Sequence, residues 1–218
     1  MQVNIILLGA GKGQRFQSSS ANKTGCSTIK QLAQLQGKPL IIHSIDKLQP
    51  LLKNSYVDNL FVTLGANKNA IQATLPLGVS VIASQHWAEG MGHTLAESVH
   101  SIKATSTHVL VALADQALIA TEHYQQLLSA SKEQPNKIIA TLCDEKLMSP
   151  AIFPEKYFPL LLKLEGDKGA GKLLLQHAKK ADAITCKEAK IDIDTMSDLE
   201  KVRQQIEHDS FEQLQSFL

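Results

Sequence analysis

The residues best suited to chemistry stand at the start of the chain, in Leu8-Gly9-Ala10-Gly11-Lys12-Gly13-Gln14-Arg15, directly after the apolar run Val3–Leu8. A β-branched apolar run ending in a glycine cluster reads as a buried strand that breaks into a tight loop. Glycines lacking Cβ let backbone N–H groups approach an anion closely, and Lys12 and Arg15 add positive charge. Such a loop holds a phosphate.

Two common phosphate loops do not fit. A dinucleotide fingerprint needs G-x-G-x-x-G and an acidic residue roughly 20 positions on. Here Gln14 takes the place of the last glycine, and no acidic residue lies between Arg15 and Asp46. A Walker A loop is mimicked by Gly166-Asp-Lys-Gly-Ala-Gly171-Lys172, but Leu173 replaces the hydroxyl that would bind magnesium. The residues before it, 157–164, also read as a helix rather than a strand.

The elements that must position the first loop follow from periodicity. Short apolar runs at Val3–Leu8, 59–65, 79–83, His108–Leu113 and 137–142 alternate with helical patterns at 40–52, 68–75, 93–102 and 122–132. Strands separated by helices imply right-handed crossovers and a mostly parallel sheet covered on both faces. The fold class expected is therefore α/β, a three-layer α/β/α Rossmann-like arrangement forming one domain over 1–218. Ligands bind at the carboxyl ends of such strands, so loops 9–15, 65–67, 85–92 and 114–118 should converge on one site. Residues 17–29, with Ser18-Ser19-Ser20 and Gly25, read as a mobile loop, and 197–218 as a terminal helix capped by Ser197.

Composition narrows the partners. The chain has 218 residues, 44% of them hydrophobic and 20% charged, with a formal charge of +1. That is ordinary for a soluble domain and gives no basic field for nucleic acid. Cys26, Cys143 and Cys186 are widely spaced without C-x-x-C, which fits a reducing compartment. No apolar run approaches the roughly 20 residues of a membrane span, and the N-terminus enters a strand pattern directly. The expectation is a cytoplasmic protein.

The segment Lys30-Gln31-Leu32-Ala33-Gln34-Leu35-Gln36-Gly37-Lys38-Pro39-Leu40, taken with the opening loop and Leu113-Ala114-Asp115-Gln116, resembles the nucleotidyltransferase superfamily that activates metabolites with a nucleoside triphosphate. Within it the chain is most similar to the molybdenum cofactor cytidylyltransferase family. Trp87-Ala88-Glu89-Gly90-Met91-Gly92, Gly166-Asp167-Lys168-Gly169-Ala170 and Asp192-Ile193-Asp194-Thr195 extend the match.

The resemblance implies transfer of CMP from CTP to a phosphorylated acceptor, a molybdopterin-type cofactor first among candidates, with Mg²⁺ as cofactor and pyrophosphate released. A molybdoenzyme would be a further partner. It implies that Leu8, Gly9, Ala10, Gly11, Lys12, Gly13, Lys30 and Gly65 bind the nucleotide, with Arg15, Lys30 and Asp115 catalytic. Asp115 would hold Mg²⁺, together with one of Asp192 and Asp194, Asp194 being preferred. Gly90, Met91, Gly92, Asp167 and Gly169 would meet the acceptor, although Gly90–Gly92 reads equally as a simple turn. Two cations about to meet three phosphates suit the chemistry, since joining anions requires positioning and charge shielding. Asp115 stands six residues ahead of Thr121, too early to cap the next helix. His86 and His93 lack a metal-ligand pattern, and Trp87 reads as packing.

Departures from the pattern concentrate in the second half. Gly171 stands where the family has arginine, Met148-Ser149 where it has Gly-His before Pro150, and Met196 where it has proline. Gly9 replaces an alanine, and the 17–29 segment is long. The methyl of Ala10 narrows the pocket in favour of a pyrimidine. Two other functions suit the same residues: a sugar- or polyol-phosphate cytidylyltransferase, and a cofactor chaperone that binds without turnover.

Overall fold

A computed structural model describes residues 1–24 and 27–215, and the side chains of 1–20 and 27–208. In chain order its elements are β1 Val3–Leu8, α1 Gln14–Thr24, β2 Gln34–Leu35, β3 Lys38–Pro39, α2 Leu40–Leu48, β4 Val57–Leu64, α3 Lys68–Gln72 and β5 Ser80–Ala83. There follow α4 Met91–Ile102, β6 His108–Leu113, α5 Thr121–Glu133, β7 Ile139–Cys143, β8 Lys146–Pro154, α6 Phe158–Leu161, α7 Gly171–His177, β9 Asp182–Thr185 and α8 Met196–Gln215.

Seven strands form one sheet in the order β5-β4-β1-β6-β8-β7-β9, and β2 and β3 make a separate small hairpin. The large sheet is mostly parallel; β8 alone runs antiparallel to its neighbours β6 and β7. Strand β1 is fully buried, and its side chains alternate between the two faces. Val3, Ile5 and Leu7 pack with Ile41, Ile45 and Leu48 of α2 and with Leu127 and Leu128 of α5. Ile6 and Leu8 pack with Leu95, Val99 and Ile102 of α4, and with Leu173 and Leu174 of α7. Helices on both faces of the sheet give the three-layer α/β/α fold. Chain order reverses beside β1, with β4 on one side and β6 on the other, so the carboxyl ends Leu8, Leu64 and Leu113 border one crevice.

Two local expectations are corrected, and two further features leave little mark on the sequence. The 17–29 segment is not a loop up to Thr24: α1 covers it, anchored by fully buried Phe16, with Ser19 and Ser20 donating to the carbonyls of Phe16 and Gln17. Gly25 and Cys26 lie outside the described residues. Strands β8 and β9 escape the periodicity because Ser149-Pro150 interrupt β8 and β9 is a four-residue edge. The turn joining β7 to β8 uses Asp144 and Glu145, both at positive φ, without the Asn-Gly or Asp-Gly that marks such hairpins. Finally, Thr195 rather than Ser197 caps α8, its hydroxyl accepting from the Asp198 N–H while the Asp198 carboxylate accepts from the Thr195 N–H and hydroxyl. Among the described residues no helix is long and apolar enough to cross a membrane.

Candidate active site

The loop after β1 is polarised by its own hydrogen bonds. The carbonyls of Leu8 and Ala10 accept from the Ala114 and Ala66 N–H groups, and that of Gly13 from Gln17. The carbonyls of Gly9 and Gly11 both accept from the side-chain amide of Gln31, at 2.9 and 2.8 Å. Among the described residues, no partner within the protein is found for the N–H groups of Ala10, Gly11, Lys12 and Gly13. With the carbonyls of Gly9, Ala10, Gly11 and Gly13 occupied and four N–H groups unpaired, the loop has the make-up of an anion cradle, and it opens into the N-terminus of α1.

The carboxylates arrive from two distant elements. Asp115 follows β6. Ile193, fully buried between Phe16, Leu40 and α8, donates its N–H to the Asp115 carbonyl at 3.1 Å and so draws Asp194 alongside. On a regular strand Asp192 and Asp194 would share a face. A tight turn, with the Asp194 N–H on the Asp192 carbonyl, separates them. Asp194 lines the cleft, while Asp192 stays exposed at its margin.

Lys30 joins the pieces. Its Nζ lies 2.8 Å from Asp115 Oδ2 and 2.7 Å from Asp194 Oδ1, and Arg15 Nη2 lies 2.9 Å from Asp194 Oδ2. The Lys30 side chain is only 11% exposed, whereas Arg15 is 77% exposed. Burial alone would lower the Lys30 pKa, but the charge and hydrogen bond of Asp115, reinforced by Asp194, raise it above its ordinary value. Asp194 is likewise opposed by burial, and Lys30 and then Arg15 bring its pKa below the usual range. The Lys30 contribution to stability is thus present below its unfolded pKa and fades as pH rises through the folded one. That of Asp194 is present above its unfolded pKa and is lost as pH falls through the folded one. Asp192 keeps much of its surface exposed, yet its carboxyl is partly desolvated, and it is pushed up to about 6 by that desolvation first and then by the charges of Asp115 and Asp194.

These groups border a cleft of about 550 Å³ that runs from Leu8, Ala10 and the glycine loop, past Lys30, Asp115 and Asp194, to Trp87, Gly90, Met91 and Asp167. Two of the expected acceptor residues sit behind its wall. Gly92 donates to the Gly166 carbonyl at 2.7 Å, and a Cβ there would meet Glu165 at 2.7 Å. Gly169 packs under Met91, 2.7 Å from where its own Cβ would stand. They hold the two loops together rather than face the cleft.

Gly65 corrects the expectation for the nucleotide half. It does not line the cleft, because Trp87 lies over it, 2.3 Å from where a Cβ would stand, and it borders a shallow depression with Lys68 and Asn69 instead. Gln31, Gln14 and Thr94 line the cleft without having been foreseen. For Gln31 the available signal was its place beside Lys30.

A glycine substitution tests the loop. Gly13 has φ +66°, and a Cβ there would stand 2.8 Å from the Lys30 Cβ. Gly13→Ala is therefore expected to displace Lys30 and lower turnover more than tenfold. Gly11→Ala meets nothing within 4 Å and should leave the melting temperature unchanged. Thermal unfolding and steady-state kinetics of the two variants check this.

Residues 5–181 match the MobA-like NTP transferase domain, a span that holds the glycine loop, Lys30 and Asp115. The chain belongs to this family. It is 33% identical over 155 residues to the bifunctional protein GlmU of Legionella pneumophila subsp. pneumophila (strain Philadelphia 1), covering 69% of this chain. The matched region spans only 30% of that relative's length. The fold matches that of Rv0371c from Mycobacterium tuberculosis H37Rv with a TM-score of 0.73 at 20% identity, over 94% of this chain and 99% of the other. Rv0371c has also been crystallised with manganese. CMP:2-keto-3-deoxy-manno-octonic acid synthetase complexed with CTP matches with a TM-score of 0.71 at 14% identity, over 96% and 100% of the two chains.

The residues present fit a divalent cation. Asp115 Oδ1 is buried without a partner, and Asp194 stands across Lys30 from it. Among the described residues no group of three or more His, Cys, Asp or Glu is arranged around one point. Two carboxylates completed by phosphate oxygens suit Mg²⁺ or Mn²⁺, which need no full protein cage.

Proposed function

We propose that the protein is a metal-dependent nucleotidyltransferase that transfers CMP from CTP to a phosphorylated acceptor. An acceptor phosphate oxygen forms a bond to the α-phosphorus, the bond from that phosphorus to the bridging oxygen breaks, and pyrophosphate leaves. One juxtaposition carries this reading: an ammonium held between two carboxylates at the mouth of a loop with four free N–H groups.

The roles divide by position. The N–H groups of Ala10 to Gly13 bind the triphosphate tail, and Lys12 and Arg15 neutralise it. Lys30 can turn from its carboxylates toward the α-phosphate and stabilise the charge that develops there. Bound by Asp115 and Asp194, Mg²⁺ would shield the phosphate charges during attack. The apolar part of the cleft, with Ala10 buried at its wall, suits a pyrimidine, which supports CTP. Gly90, Met91 and Asp167 face the acceptor, and Gly92 and Gly169 fix their loops. Membership of the MobA-like family supports a molybdopterin-type acceptor.

The decisive experiment measures pyrophosphate release from each of the four nucleoside triphosphates with Mg²⁺, offering molybdopterin-type cofactor, a sugar phosphate or a polyol phosphate. Release with CTP and the cofactor is expected. Turnover of a sugar or polyol phosphate alone would reassign the acceptor. Tight nucleotide binding without release under any pairing would identify a delivery protein instead of an enzyme.

A further inference from the structure

We infer that Gln31 is a positioning residue that sets the direction of the phosphate loop. Its amide nitrogen donates to the carbonyls of Gly9 and Gly11 and so holds both away from an incoming anion. Glycines at 9, 11 and 13 give the loop little conformational preference of its own, since a residue without Cβ turns its peptide units at small cost. A carbonyl rotated toward the cleft would present a partial negative charge to phosphate. Of the carbonyls from Gly9 to Gly11, that of Ala10 is tied by the Ala66 N–H, and the other two depend on Gln31.

The orientation of the amide is fixed by chemistry. Reversing it would set Oε1 against two carbonyl oxygens, so the nitrogen must face them. The residue is 6% exposed, and Oε1 is left buried without a partner. The two donated bonds therefore dominate the placement of this side chain. Lys30 precedes it in the single helical turn Lys30–Leu32, so the residue that orients the loop and the ammonium beside the carboxylates are set by one short element.

The inference rests on the nucleotide-binding reading above, and its test separates the two. Gln31→Glu keeps the shape but replaces the donors by oxygen, and Gln31→Met removes them. Both full-length variants and the wild type are titrated calorimetrically with inorganic triphosphate and with CTP, after thermal unfolding confirms folding. Binding of both probes at least tenfold weaker in the variants is expected, with KM for CTP rising more than kcat at saturation falls. Variants that bind within twofold of a wild type that itself binds would overturn the role of Gln31 alone. A wild type that binds neither probe would overturn the nucleotide reading together with it. Should neither variant fold, the wild-type protein decides by NMR. Slow exchange of the Gln31 side-chain amide, shifting with the Gly11–Gly13 N–H signals as triphosphate is added, supports the role, and exchange at the rate of a free amide overturns it.

Discussion

Replacing Lys30 by alanine is expected to lower turnover by about two to three orders of magnitude, the range seen when one preorganised donor to a developing charge is removed. Affinity for CTP should fall by less than tenfold. The split follows from position. In the proposed mode the triphosphate tail would be met by four backbone N–H groups with Lys12 and Arg15, none of which the substitution removes, whereas Lys30 lies between Asp115 and Asp194. Its charge is secure near neutral pH, because the two carboxylates raise its pKa despite burial.

The variant also removes the ammonium shared by those carboxylates, leaving Asp194 paired with Arg15 and Asp115 without its cation. Manganese binding without nucleotide should therefore hold or strengthen, as the ammonium no longer competes. Thermal unfolding must be measured alongside, since hydrogen bonds to charged groups contribute about 1.5–3 kcal/mol each. Full turnover in a folded Lys30→Ala protein would end its catalytic assignment. A KM effect without a kcat effect would demote it to ordinary substrate binding.

Asp115→Asn carries the second large effect. The carboxylate loses its charge but keeps its shape, so the Ile193 N–H bond to the Asp115 backbone carbonyl, which aligns Asp194, is retained. Loss of even an outer-sphere partner of a metal ligand costs about 10–100-fold in affinity, so loss of the ligand itself should shift the Mg²⁺ titration midpoint at least that far. Turnover should fall with it. The opposite responses of the two variants to manganese, weaker in Asp115→Asn and undiminished in Lys30→Ala, are the sharper check. An unchanged metal titration in Asp115→Asn would remove Asp115 from the metal site.

Gly9–Gly13, Lys30 and Asp115 each sit at a local boundary, where a strand ends or a short turn begins, and such boundaries leave marks within a few residues. Gly65 has the same kind of boundary after β4, yet Trp87 from a loop 22 positions along covers it, and no neighbouring residue in sequence announces that. The misreading of 17–24 has a related cause. Three consecutive serines favour turns, but here two of their hydroxyls bond back to helix carbonyls, and burial of Phe16 holds the helix in place. Strand β8 reads poorly because its pairing bulges at Ser149-Pro150, where the alternation breaks.

The amino-acid sequence by itself determined the glycine-rich break after the first strand, the alternation of strands and helices, and the three-layer α/β/α arrangement. All of these follow from the side-chain period and from glycine placement over spans of a few residues. Only the tertiary structure decided that Asp194 rather than Asp192 faces the cleft, that Lys30 bridges carboxylates 85 and 164 residues away, and that Gln31 fastens the glycine loop. Those pairings are set by how buried groups such as Ile193 and Phe16 pack, and packing between distant segments has no period that a linear chain can display.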